Sequence, residues 1–97
     1  MCYIFASTDP DLFAKQSRSL RINGVVTSLQ LEARFWQILD EIAASQQMST
    51  PKFISTLYDE VIELQGEVGN FASLLRVVCT AHLERQALDS TAAEAAE

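Results

Sequence analysis

The amino-acid sequence predicts a mainly α-helical domain that carries a short two-stranded β-ribbon. Three observations predict it. Asn23-Gly24, the preferred pair for a tight type I′ turn, interrupts the alternating stretch between Ser19 and Leu31. Apolar residues then recur at helical spacing in three separate stretches, each set off by caps or breaks. The 97 residues, 48% of them apolar, make one domain with a core, at a size where a second subunit often completes it.

Residues 1–17 are expected to form an N-terminal arm. Its first part, MCYIFA, reads as a short strand or as a flexible segment docked on the core. Asp9 as an N-cap and Pro10 at the first helical position then predict a single helical turn. Folding the ribbon at Asn23-Gly24 sets Ile22 against Val25, Arg21 against Val26, Leu20 against Thr27 and Ser19 against Ser28. Leu20, Ile22, Val25, Leu29 and Leu31 then share an apolar face with Thr27, while Ser19, Arg21, Val26, Ser28 and Gln30 share the other. A lone two-stranded ribbon is not stable in water, so the apolar face requires a core.

The first helix of the core is predicted from about Ala33 to Gln46, with Phe35, Ile38, Leu39 and Ile42 as its stripe and Trp36 widening it. The second runs from Ser49 or Thr50, with Pro51 in its first turn, to about Gln65. Its apolar residues cover too much of the circumference for a surface helix, so it is expected to be buried on more than one side. Asn70 caps a third helix from about Phe71 to Arg85, built on Phe71, Leu74, Leu75 and Val78. The domain proper is therefore placed at residues 18–85, followed by a flexible acidic tail at 86–97 whose alanines have nothing to pack against.

The formal charge of −6 argues against indiscriminate binding to a polyanion, but it is unevenly spread. Residues 1–31 hold Lys15, Arg18 and Arg21 against Asp9 and Asp11, a net +1. Residues 32–97 hold four basic residues against eleven acidic ones, a net −7. A phosphate-facing surface is therefore expected from the first third. Cys2 and Cys79, far apart in apolar surroundings, point to free thiols and a cytoplasmic protein. No catalytic residue, metal site or cofactor is expected. A single His and two Cys supply few nucleophile–base pairs, and Cys79 with His82 makes two candidate ligands without a third. Trp36, beside Phe35 on a helical stripe, reads as core rather than as a ligand platform.

The stretch from Arg18 through Val61, followed by GNFASLLRVVC, resembles a family of small bacterial ribbon-helix-helix proteins. The residues that carry the resemblance are Arg18 and Arg21, Gly24, Thr27-Ser28, Leu31-Glu32, Phe35-Trp36, and Asn70, Phe71, Ser73, Leu75 and Arg76. It covers roughly residues 1–85. The superfamily includes the Arc and methionine repressors, which put strands into a DNA groove. The resemblance implies a homodimer in which two chains pair their strands antiparallel and intertwine their helices, here with an additional C-terminal helix.

It also implies a function. A dimeric DNA-binding protein, a transcriptional regulator inserting a β-ribbon in the major groove of double-stranded DNA, is the first reading. A protein-interaction or antitoxin-like module on the same fold, with weak or no DNA binding, is the alternative. The superfamily's reading positions match Val26, Ser28 and Gln30. Gln makes bidentate contacts to adenine and Ser donates or accepts, whereas Val offers only contact with a thymine methyl. Arg18 and Arg21 supply positive charge on the ribbon. Ser49, Thr50 and Lys52 stand at the second helix's N-terminus, where backbone N–H groups hold a phosphate. Arg76 is read either as a contact between copies or as a locally paired residue.

Overall fold

The computed structural model describes residues 2–95, the backbone alone at Cys2 and at 92–95. The described chain runs α1 (Cys2–Ala6), a single 3₁₀ turn (Pro10–Leu12), β1 (Lys15–Ile22), β2 (Val25–Glu32), α2 (Ala33–Ser45), α3 (Thr50–Gln65) and α4 (Phe71–Ala95). The strands form one antiparallel two-stranded sheet whose register pairs Ile22 with Val25 through to Lys15 with Glu32. Asn23 and Gly24 both take positive φ, 52° and 79°, as a type I′ turn demands. That turn places each cross-strand pair where the alternation predicted it.

The sheet's apolar face closes over the helices. Leu20, Ile22, Leu29 and Leu31 join Trp36, Ile38, Leu39 and Ile42 of α2, Ile54 of α3, and Leu75 and Cys79 of α4 in one core. Val25 departs from its expected place. It stands beside the turn, at the end of the sheet, and is 64% exposed although Ile22 opposite it is buried.

Local chemistry ends and starts each helix. Asp9 caps the 3₁₀ turn by accepting from the Asp11 N–H. The Ser49 hydroxyl accepts from the Lys52 N–H at 3.3 Å, and Gly66, with φ 83°, closes α3 through an N–H···O bond to Ile62. Asn70 accepts from the Ser73 N–H at 3.0 Å and opens α4.

Two of the expected boundaries move. β1 begins at Lys15, so the last three residues of the expected arm belong to the ribbon. The reason is β2, which extends to Glu32 and offers ladder partners as far back as Lys15. The tail is helical to Ala95, because Ala87, Ala92, Ala93 and Ala95 favour helix and no Gly or Pro stops it. Met1 and residues 96–97 of the expected arm and tail lie outside the described residues. MCYIFA, expected as a strand or loose segment, is helical from Cys2 and leaves Tyr3, Ile4 and Phe5 exposed. The chain after it is tied down, as the Ala33 N–H donates to the Ala14 carbonyl at 2.8 Å.

Candidate nucleic-acid interface

Strand parity divides the ribbon into two faces with different work. The outward face carries Ser19 opposite Ser28, Arg21 opposite Val26, and Ser17 opposite Gln30, all exposed. Three of the expected readers, Val26, Ser28 and Gln30, thus share one solvent-facing strip with Arg21. Ser17 and Lys15 belong to the same strip and were missed at the sequence level. Their signal was the polar alternation Lys15, Ser17, Ser19, Arg21, obscured by the polar residues Gln16 and Arg18 on the inward parity.

Arg18 does not join that strip. It pairs across the ladder with Leu29, on the inward face, and its side chain runs to α2. Its guanidinium binds Asp40 with two prongs, Nη1 to Oδ1 at 2.9 Å and Nη2 to Oδ2 at 3.1 Å. It also stacks 4.4 Å from the centre of the Trp36 ring. The Trp36 indole N–H donates to the Gln16 carbonyl at 2.8 Å, which locks the ring against β1. The Arg18 guanidinium, followed by the Thr50 hydroxyl, holds the Asp40 carboxyl below the usual carboxylate range.

At the N-terminus of α3 the expected trio separates by role. Ser49 is the N-cap, its hydroxyl occupied by the Lys52 N–H. The Thr50 hydroxyl donates to Asp40 Oδ1 at 2.6 Å. Pro51 has no N–H to offer. Lys52 keeps its side chain exposed and, with Arg21, lines an open cleft between the hairpin turn and α3 that also includes Asn23, Gly24 and Asp59. Neither Arg21 nor Lys52 makes an ion pair among the described residues. The fold thus brings together two positive charges separated by 31 positions of sequence, one on the ribbon and one on the helix.

The other singled-out residues take structural places. Trp36 is 1% exposed, as a core residue is. Arg76 is locally paired: its Nε donates to Glu32 Oε1 at 3.0 Å, and its guanidinium lies 5.9 Å from the Phe35 ring. The adjacent aromatics Phe35 and Trp36 therefore each carry an arginine, which ties α2 to α4 on one side and to β1 on the other. Cys79 is fully buried, and burial pushes its thiol up to about 11, so it stays protonated and unreactive at neutral pH. His82 approaches Glu41 at 4.0 Å, and the described residues hold no group of three metal-ligating side chains. No helix among the described residues is long and apolar enough to cross a membrane.

The profile described as the ribbon-helix-helix domain matches residues 15–83. No curated protein matches the chain. Among solved structures, an uncharacterized protein from Bordetella pertussis Tohama I is similar at 44% identity with a TM-score of 0.88. The match covers 92% of this chain and 71% of that one.

Proposed function

The chain belongs to the ribbon-helix-helix domain family, and from that premise we propose that it is a cytoplasmic, homodimeric DNA-binding protein, a transcriptional regulator that lays its β-ribbon in the major groove. The cleft that joins Arg21 of the ribbon to Lys52 of α3 carries this reading, because it puts the strand's polar strip and a helix-borne cation on one side of the molecule. Dimerisation follows from what one chain leaves uncovered. β2 is bonded to β1 along one edge only, and Ile62 and Leu64 of α3 remain 39% and 84% exposed. A second copy pairing β2 to β2 antiparallel satisfies the open edge.

Sheet dimensions then assign the roles. Four strands spaced about 4.8 Å apart span about 14 Å between outer axes, wider than a major groove of about 12 Å. Only the two central β2 strands enter. Ser28 and Gln30 meet base edges there, while Arg21 on the flanking β1 stands against the phosphates with Lys52. The acidic helices are held outward by repulsion.

Fluorescence anisotropy across a salt series, with DNA from the protein's own promoter, tests this. Gln30→Ala is expected to weaken specific binding by about 1–3 kcal/mol and to leave non-specific affinity nearly unchanged. Arg21→Ala and Lys52→Ala are expected to weaken binding to every sequence and to lower the salt slope by about 1 each. Wild type that shows no salt-sensitive binding at low ionic strength refutes the reading. The second reading, an interaction or antitoxin-like module, then takes its place, favoured by Val25 and Val26 lying 64% and 63% exposed at the ribbon tip.

A further inference from the structure

We propose that Arg18 acts on DNA binding without touching DNA: it neutralises the Asp40 carboxylate, which is bonded to Thr50 at the N-terminus of α3, and so keeps that helix end open to phosphate. The inference rests on the DNA-binding reading above and adds a positioning residue to it.

The geometry is a relay across three elements. Arg18 leaves β1 on the inward face, opposite Leu29, so it projects away from the strip that faces solvent. Its two-pronged pair fixes Asp40 of α2, and the same Oδ1 that takes Nη1 at 2.9 Å also takes the Thr50 hydroxyl at 2.6 Å. Thr50 is the first residue of α3, directly after the cap Ser49. The guanidinium cannot swing freely, because the buried Trp36 ring lies 4.4 Å beneath it and is itself bonded to the strand at Gln16.

Charge adds to position. Asp40 is the carboxylate nearest in the hydrogen-bond network to the helix end that the DNA reading sets against phosphate. Paired with Arg18 it is neutralised. Without Arg18, an ionised carboxylate stands bare at the α3 N-terminus and repels the phosphate that Arg21 and Lys52 attract. The pair is half-exposed, at 36% and 47%, so its weight in global stability is small. Its effect falls on the local field at the N-terminus of α3.

The experiment measures promoter-DNA affinity and salt slope for wild type, Arg18→Ala, Asp40→Asn and the double variant, with circular dichroism confirming the fold of each. Asparagine keeps an oxygen that accepts from Thr50 and removes the charge. Arg18→Ala is expected to bind at least about tenfold more weakly at low ionic strength, with the deficit shrinking as salt screens the uncompensated carboxylate. The double variant is expected to recover to within about threefold of wild type, as is Asp40→Asn alone. A double variant as weak as Arg18→Ala overturns the proposal and makes Arg18 a direct contact, since removing the Asp40 charge then restores nothing. If Arg18→Ala does not fold, Arg18→Gln carries the same comparison, because it removes the charge but keeps most of the stem and an amide donor. Wild type without salt-sensitive binding refutes the DNA reading, and this proposal with it. Wild-type binding with no rescue refutes this proposal alone.

Discussion

Replacing Trp36 with alanine removes the side chain on which three contacts converge. Trp36 is 1% exposed, so deleting its ring loses the transfer free energy of a buried aromatic and leaves a cavity, together about 3–5 kcal/mol. The Gln16 carbonyl loses its donor at 2.8 Å, which costs about 1 kcal/mol at a partly buried site. The Arg18 guanidinium loses the ring 4.4 Å below it, about 0.5–1 kcal/mol for a cation near the surface. Contacts that share a residue do not add fully, so the expected loss is about 4–6 kcal/mol. That equals much of the stability of a small domain, about 5–15 kcal/mol, and Trp36→Ala is expected to be largely unfolded at 37 °C. Urea unfolding followed by far-ultraviolet circular dichroism measures it, at one fixed protomer concentration because association contributes to apparent stability. Trp36→Phe, which keeps most of the ring but not the indole N–H, is expected to lose only about 1–3 kcal/mol. A loss below about 1 kcal/mol for Trp36→Ala refutes the packing argument, since no fully buried aromatic is removed so cheaply.

Three further outcomes are expected. Sedimentation equilibrium should show a dimer at micromolar concentration, and a folded monomer there removes the case for paired β2 edges. Replacing Cys2 and Cys79 with alanine should leave oligomeric state unchanged in reducing and oxidising buffers alike; with its thiol pushed up to about 11, native Cys79 should alkylate far more slowly than unfolded chain at pH 8. Dissociation of the wild type on reduction is the contrary result. Acid should destabilise the fold through Asp40, held low by Arg18, and Glu32, held low first by its own backbone N–H and then by Arg76. A lowered folded pKa means that their contribution is present above the ordinary carboxylate range of about 4 and is lost as pH falls through and below it. Because the pair is half-exposed its share is small, so Asp40→Asn should flatten the stability profile only slightly below about pH 5, and an unchanged acid limb in urea titrations counts against the pair.

The ribbon, its turn and its register were legible in the sequence because they depend on neighbours a few positions apart. Asn23-Gly24 selects the turn, the turn selects the pairs, and period two assigns Ser28 and Gln30 to the outer face. The same holds for the caps Asp9, Ser49 and Asn70, whose bonds close within three residues. Arg18 was a different problem. Its parity placed it inward with Leu20 and Ile22, while its charge argued for the phosphate side, and local pattern has no means of choosing. Asp40, 22 positions later, decided it, since a charge turns inward when a carboxylate and an aromatic ring meet it there. Arg76 found Glu32 across 44 positions in the same way. Strand length was likewise tertiary in origin: β1 reaches back to Lys15 because β2 supplies ladder partners that far, though Ala14 to Arg18 shows no strand alternation of its own. Periodicity along the chain thus determined which faces exist. Which charges stand on the candidate interface, and which are spent holding it together, was decided through space, because an ion pair depends on distance in the folded chain and not on separation in sequence.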